Sequence, residues 1–171
     1  MRLIHWICVL CLVCFGAGVN AQTPVFPNKP VRIVVPFPPG GGIDLLVRAM
    51  AIELSGKWGH PIVIDNRGGA SGNIGAEIVA KSAADGYTLV LGAGATLAVS
   101  PALSKHLPYD SLRDFAPIAK LATAPNILVV NDSIKAHSLK ELIELAKSQP
   151  QGYSFASGGK GSSGHLSAEL L

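Results

Sequence analysis

Cysteine is absent from most of this chain. Its three cysteines, Cys8, Cys11 and Cys14, all lie within the first 21 residues, and residues 22–171 contain none. The longer part therefore cannot form a disulfide framework, a thiolate metal site or a cysteine nucleophile. A protein of this length without disulfides is consistent with the bacterial periplasm.

Charge and aromatic residues are also sparse. Only 15% of the residues are charged and 6% are aromatic, and residues 22–171 carry 13 Lys and Arg against 11 Asp and Glu. The basic residues occur singly, without a stripe of Lys and Arg interleaved with aromatics. We therefore expect no nucleic-acid partner.

Long apolar runs are confined to the N-terminus. Arg2 precedes an apolar stretch over residues 4–17, and the small-residue sequence Val19-Asn20-Ala21 follows it. This pattern predicts a signal peptide cleaved after Ala21 and export to the periplasm. The alternative is an uncleaved anchor, but the stretch is short for a membrane span.

Nucleotide-binding motifs are missing despite 19 glycines. A dinucleotide fingerprint beginning at Gly40 and Gly42 fails because Leu45 occupies its third glycine position. A phosphate-binding loop at Lys160 fails because Gly161 replaces the required Ser or Thr. We expect no cofactor.

Enzyme and metal motifs are missing as well. Ser162 and Ser163 lie between glycines with the wrong spacing for a hydrolase elbow. The histidines at 60, 106, 137 and 165 lack ligand spacing, so we expect neither a metal site nor catalysis.

What the chain does contain is a strand, a glycine-rich loop and a helix, repeated three times. The strands are predicted over residues 31–35, 61–65 and 87–91, and the helices over 43–58, 73–82 and 97–103. This alternation predicts an α/β fold with a mostly parallel sheet, whose three loops share the edge formed by the strands' carboxyl ends.

The last third of the chain gives a second set of predictions. The apolar stretch over 115–130 is interpreted as one extended crossover strand. Ser138 is predicted to cap a helix through Gln149, with Glu141 completing a capping box. A strand over 153–156, a small-residue loop over 157–164 and a helix beginning near His165 follow.

The first glycine loop has the composition of an anion-binding loop. Gly40, Gly41 and Gly42 immediately precede a helix, whose first amides lack intrahelical acceptors and suit a carboxylate or phosphate. The alternative is a tight turn that only packs helix on strand. Asp44 could act as a general base, but its place in the first helical turn favours capping.

Two further groups remain open from the residues alone. Arg67 could hold an anion or form a structural pair with Asp65. His165, beside Ser162 and Ser163, could donate to an anionic ligand or simply face solvent.

Six motifs together resemble the substrate-binding proteins of tripartite tricarboxylate transporters, also called Bug-type receptors. In chain order they are PFPPGGGID (36–44), NR (66–67), GNIGA (72–76), DGYTL (85–89), LPYD (107–110) and DFAP (114–117). The resemblance covers essentially all of residues 22–171.

This resemblance implies a periplasmic binding protein of the type II, Venus-flytrap architecture, with two α/β domains. It implies a monomer that captures a small carboxylate, such as a di- or tricarboxylate or an acidic amino acid, and presents it to membrane permease subunits. The loops at 39–44 and 157–165 would face each other across the cleft. The implied ligand-binding residues are Pro39, Gly40, Gly41, Gly42, Asp44, Gly94, Ala95, Ser157, Gly158, Ser162, Ser163 and His165.

The resemblance also implies a domain division, and the sequence differs from the family pattern at a few positions. Residues 1–21 would be the signal peptide, 22–124 the first part of domain 1 and 125–171 an incomplete domain 2, since family members are about twice as long. Ile43 replaces a common threonine, Gly68 a common proline, and residues 93–95 lack the usual hydroxyls.

Two other functions remain as alternatives to a carboxylate receptor. One is a truncated fragment that binds nothing, and the other is a small exported hydrolase using Ser162 or Ser163 with His165.

Overall fold

A computed structural model of the chain describes residues 25–171. The predicted signal peptide and its cleavage site lie outside the described residues. Within them, no helix is long and apolar enough to cross a membrane.

A three-stranded parallel sheet organises the first part of the chain. The strands are β1 (Val31–Val35), β2 (Ile62–Asn66) and β3 (Thr88–Val90), in the order β2-β1-β3. Ile33 in the central strand lies opposite Ile64 on one side and Leu89 on the other. The three strand predictions are confirmed to within a residue or two at each end.

The helix α1 (Gly42–Trp58) covers one face of this sheet. Val47 packs with Ile33 and Val35 in a core that has almost no solvent exposure. Burying one such side chain contributes about 1.5–3 kcal/mol. As predicted, the helix ends at Gly59, whose left-handed φ of 67° lets its N–H donate to Ser55 O at 3.0 Å.

The helix α2 (Asn73–Ala80) follows a single 3₁₀ turn at Ala70–Gly72 and packs on β1 and β3. Val34 points to the opposite face of β1 from Ile33 because strand side chains alternate, and it too is fully buried. The central strand is thus buried on both faces, which explains its continuous apolar sequence.

The third helical segment starts earlier than predicted. A π-helical turn over Ala95–Val99 leads directly into α3 (Ser100–Leu103). Thr96 within it is fully buried and donates through Oγ1 to Ser71 O at 2.9 Å. The hydroxyl of Tyr109 lies 2.7 Å from Thr96 O and ties the following loop to this segment.

Two helices lie in the last third of the chain, α4 (Leu139–Ser148) and α5 (Ser163–Glu169). Ser138 caps α4 by accepting from Glu141 N at 3.2 Å, and Glu141 Oε2 accepts from His137 N at 2.8 Å. The predicted cap by Ser138 is confirmed. In a capping box Glu141 would accept from the amide of Ser138 itself, whereas here it accepts from the preceding residue, His137.

The prediction of strands over residues 115–130 and 153–156 is wrong, because the structure has no strand in either stretch. Neither stretch forms a ladder with any described residue. Apolar composition favours a strand, but a ladder also needs a partner edge, and side chains such as Ile127 and Val129 remain 80% exposed.

Candidate functional site at the carboxyl edge of the sheet

The loops that follow the three strands meet at one edge of the sheet, as predicted. The chain continues pairing just beyond the strands, because Arg67 N donates to Val35 O at 2.8 Å and Leu91 N donates to Val34 O at 3.0 Å. The loops therefore leave the sheet side by side.

Glycines let the first and second loops approach closely. A Cβ added to Gly75 would lie 2.7 Å from Pro36 Cβ and 3.0 Å from Arg67 O, and one added to Gly72 would overlap Thr96 Oγ1. These positions need glycine because other backbone or buried groups occupy the space of a side chain. The glycines of GNIGA thus have a packing role.

The first glycine loop presents backbone amides. Gly40, at φ 85°, donates its N–H to Asp44 Oδ2 at 2.9 Å. Gly41 closes a turn over Pro39 and Gly40 with its amide directed at Pro38 O. Among residues 25–171, the amides of Gly42 and Ile43 have no hydrogen-bond acceptor, and Gly42 is exposed. Pro39 is exposed and has no N–H. An anion at this loop would therefore meet the amides of residues 42 and 43.

Asp44, the charged residue that follows the glycines, is buried with 1% exposure. Its Oδ2 accepts from Arg48 Nε at 2.8 Å and from Gly40 N, and its Oδ1 accepts from Asn66 Nδ2 at 2.9 Å. These bonds hold the pKa of the Asp44 carboxyl far below its usual range, and the bond from Arg48 has the largest effect. Asp44 thus accepts one backbone N–H, from Gly40, as the capping interpretation expects, but it caps no amide within α1.

Asn66 and Arg48 complete this cluster, and the sequence reasoning missed their role. Arg48 Nη2 donates to Asn66 Oδ1 at 3.2 Å, and Asn66 Nδ2 also lies 3.1 Å from Phe37 O. The four-residue spacing of Asp44 and Arg48 on a predicted helix was the available signal for their pairing.

Arg67 forms the structural pair that the sequence left open. Its Nε donates to Asp65 Oδ1 at 2.9 Å, and Arg32 Nε donates to Asp65 Oδ2 at 3.0 Å. Both guanidiniums lower the pKa of the Asp65 carboxyl, and that of Arg32 has the larger effect. Arg67 therefore forms an ion pair with Asp65 near the end of β2.

The third loop brings Gly94 and Ala95 to the same edge. Gly94 is exposed and has open space at its Cα, while Ala95 is partly buried at the start of the π-helical turn. Ala93 O accepts from both Thr96 N and Leu97 N, which fixes the beginning of that turn.

The fourth loop, residues 157–164, contacts the second loop and the helical segment that follows the third loop. Ser71 Oγ donates to Lys160 O at 2.7 Å, and Gly161 is buried near Val99 and Leu103. Among residues 25–171 no hydrogen bond joins 39–44 to 157–165, so the predicted facing of these two loops stays a prediction.

The polar residues of the fourth loop have local partners. Ser157 Oγ accepts from Gly159 N at 3.4 Å, next to the exposed Gly158. Ser162 Oγ caps α5 by accepting from His165 N at 3.2 Å, and Ser163 Oγ donates to Asn126 Oδ1 at 2.9 Å.

His165 has one ring nitrogen in need of a partner. Its Nδ1 is buried without a hydrogen bond, whereas its Nε2 lies 3.7 Å from Glu169 Oε1. In the described part of the chain no hydrogen bond joins the His165 ring to the hydroxyl of Ser162 or Ser163, so a nucleophile and base are not paired there. Residues 25–171 also contain no cluster of three His, Cys, Asp or Glu that could hold a metal.

Most of the chain matches a known receptor family. The family model described as the tripartite tricarboxylate transporter family receptor matches residues 46–171. Protein BugT of Bordetella pertussis is 43% identical over 157 residues, which cover 91% of this chain and 48% of BugT. The chain belongs to the tripartite tricarboxylate transporter receptor family.

Solved structures support the same assignment. A protein from R. palustris solved with adipate has a TM-score of 0.81 and 41% identity, covering 85% of this chain and 48% of that protein. MatC from Rhodopseudomonas palustris, solved with bound malate, has a TM-score of 0.54 and 41% identity, covering 56% of this chain and 33% of MatC. The receptor fold is that of periplasmic binding proteins.

This member of the receptor family spans about half the length of the curated relatives that it matches. Its relatives are periplasmic solute-binding proteins, and family members have been solved with small carboxylates. The loops that meet at the carboxyl edge are therefore the place to look for a ligand.

Proposed function

We propose that this chain takes part in capturing a small organic carboxylate in the periplasm, for delivery to the permease subunits of a tripartite tricarboxylate-type transporter. The ligand would be a di- or tricarboxylate or an acidic amino acid. The chain would be exported after cleavage behind Ala21 and would act as a monomeric solute-binding protein without enzymatic activity or cofactor.

The observation that carries this proposal is the row of amides at the start of α1. The amides of Gly42 and Ile43 have no acceptor among residues 25–171, and they lie at the positive end of the helix dipole. Hydrogen bonds from amides to an anion are charge-assisted and do not require an arginine. The adipate-bound relative, which matches 85% of this chain, supports a carboxylate ligand.

The fourth loop supplies the opposing side in this proposal. Gly94 and Ala95 from the third loop, with Ser157, Gly158, Ser162, Ser163 and His165 from the fourth, would complete the site. The unpartnered Nδ1 of His165 supports a polar group nearby. Residues 22–124 would belong to the first domain and 125–171 to the second, so the ligand would lie between the two.

Ligand-dependent unfolding tests the proposal. The chain with its native N-terminus is expressed in a Gram-negative host and recovered from the periplasm, and mass spectrometry reports whether cleavage follows Ala21. Thermal unfolding is then followed with adipate, malate, citrate or glutamate at millimolar concentration. A ligand of the folded state raises the melting temperature.

A variant at the first loop makes the test specific. Gly42 is the first residue of α1, where proline is tolerated, and the extended Gly41 before it has φ −73° and ψ 162°. Gly42→Pro removes one proposed ligand amide and should abolish the shift without unfolding the protein. Leu139→Pro makes the same change at the first residue of α4 and should preserve the shift.

Absence of any carboxylate-induced shift in a cooperatively folded chain would contradict the proposal. Aggregation without a cooperative transition would favour the alternative of a fragment that binds nothing by itself.

A further inference from the structure

Asp44 presents an electrostatic problem for a carboxylate site. It is a charged carboxylate with 1% exposure, in the first turn of the helix whose amides are proposed to bind another carboxylate. Like charges at short distance repel strongly where water is excluded. The site therefore needs a group that cancels this charge.

We propose that Arg48 and Asn66 are positioning residues for carboxylate binding: Arg48 neutralises Asp44, and Asn66 fixes Asp44 and the first loop in one arrangement. Neither residue needs to touch the ligand. This inference rests on the proposed function and assigns roles to two side chains outside the expected ligand set.

The geometry joins three parts of the fold at one carboxylate. Asp44 belongs to α1, Gly40 to the loop after β1, and Asn66 to the end of β2. Asp44 accepts from Gly40, Arg48 and Asn66 at 2.8–2.9 Å, so both of its oxygens are held. The bond from Gly40 ties the loop to the Asp44 carboxylate immediately before the helix begins.

Arginine suits this position better than lysine. Nε bonds Asp44 at 2.8 Å while Nη2 bonds Asn66 at 3.2 Å, so one planar fork connects both partners. Asn66 in turn lies 3.1 Å from Phe37 O at the start of the same loop. Lysine would keep the charge but could not reproduce both bonds in that plane.

A purely structural role would have a different signature. The Arg48 side chain is about half exposed, and pairs with an exposed partner contribute little to stability. Without Arg48, Asp44 still accepts from Gly40 and Asn66. Removing Arg48 should therefore reduce ligand affinity more than it reduces folding stability.

Affinity measurements on charge variants test the neutralisation. By calorimetry with the carboxylate that gives the largest thermal shift, Arg48→Met should weaken binding about tenfold. Arg48→Lys should recover part of the loss, and the double variant Asp44→Asn/Arg48→Met should recover most of it. The difference between wild type and Arg48→Met should narrow as salt rises, because salt screens the exposed charge.

A matched control separates this effect from the loss of any arginine. Arg113 Nε bonds Asp110 Oδ2 at 2.7 Å, an exposed Arg–Asp pair that shares no hydrogen bond with Asp44, Arg48 or Asn66 among the described residues. Arg113→Met should leave the affinity unchanged. Equal affinity of Arg48→Met and Arg113→Met, or a double variant as weak as Arg48→Met alone, would overturn the neutralising role.

Hydrogen exchange tests the positioning without a ligand. The bonded amides of Gly40 and Leu45, which donate to Asp44 Oδ2 and Gly41 O, should exchange several times faster in Arg48→Met and in Asn66→Ala than in the wild type, while those of β1 stay unchanged. Unchanged exchange in both variants would overturn the positioning role. A wild type that binds no carboxylate would contradict the proposed function, and this exchange experiment would still decide whether the two residues hold the loop.

Discussion

Gly75 in α2 lies against Pro36, in the loop after β1. An added Cβ would be 2.7 Å from Pro36 Cβ and 3.0 Å from Pro36 Cα, and Pro36 is itself fully buried. We predict that Gly75→Ala lowers the free energy of unfolding by about 1–3 kcal/mol, measured by urea denaturation, because the helix must move away from the sheet.

The matched control is a glycine in a helix with open space around it. Gly56 lies in α1 and has nothing within 4 Å of an added Cβ. Gly56→Ala should raise the free energy of unfolding by about 0.5–1 kcal/mol through helix propensity. A stabilising effect of Gly75→Ala would show that the close approach to Pro36 is not maintained in solution.

The second residue-scale prediction concerns Asp44 and pH. Its pKa in the folded state is held below the unfolded value of about 3.9. A depressed carboxyl pKa stabilises the fold above the unfolded value, and this stabilisation is lost as pH falls. Asp44→Asn should therefore lower stability most near pH 7 and progressively less below about pH 4.

Urea unfolding between pH 2.5 and 7, with Asp132→Asn as the control, measures this dependence. Asp132 is exposed, and its carboxylate accepts no hydrogen bond from the described residues. The control should follow the wild type at every pH. A stability difference for Asp44→Asn that stays constant with pH would show that charge is not the cause.

At the scale of single elements, α4 depends on its cap. Ser138 Oγ and Glu141 each satisfy one backbone N–H at the start of the helix. Ser138→Ala should destabilise α4 by about 1 kcal/mol, seen as faster amide exchange over residues 139–148.

Ser148 provides the comparison at the other end of the same helix. Its hydroxyl donates to Leu145 O at 2.7 Å and caps no N–H. Ser148→Ala should change the exchange of α4 by much less than Ser138→Ala. Equal effects would mean that α4 is held by packing and not by its cap.

The elements also show where local sequence information is sufficient. The strand over Val31–Val35 and the helix Gly42–Trp58 were predictable because each carries its own periodicity and its own end signals. The stretches 115–130 and 153–156 have strand-like composition, but a ladder depends on a partner that local sequence does not specify. Composition therefore predicted strands there that the structure does not contain.

At the scale of the whole molecule, the apolar surface of the last third is exposed. An open cavity of about 310 Å³ lies between residues 128–130 and the start of α4, lined by Leu128, Val130, Ala136, His137, Ser138, Leu139 and Leu142. Exposed apolar patches bind apolar dyes and promote association. We predict that the chain enhances the fluorescence of an apolar dye such as ANS and that Val130→Lys lowers this enhancement at least twofold.

A charge elsewhere on the surface serves as the control. Leu112 is 92% exposed and does not line this cavity, so Leu112→Lys should leave dye binding unchanged. Equal dye binding by the wild type and Val130→Lys would show that the cavity is closed in solution.

The sequence by itself determined the class of fold, the order of its first six elements, the first glycine loop and the receptor family. These features depend on local periodicity, turn residues and motif spacing, which are written along the chain. Only the tertiary structure decided that Asp44 is held by Arg48 and Asn66, that Gly75 packs on Pro36, and that Arg67 pairs with Asp65. Those contacts depend on which strand ends lie side by side, and that order follows from packing the whole sheet.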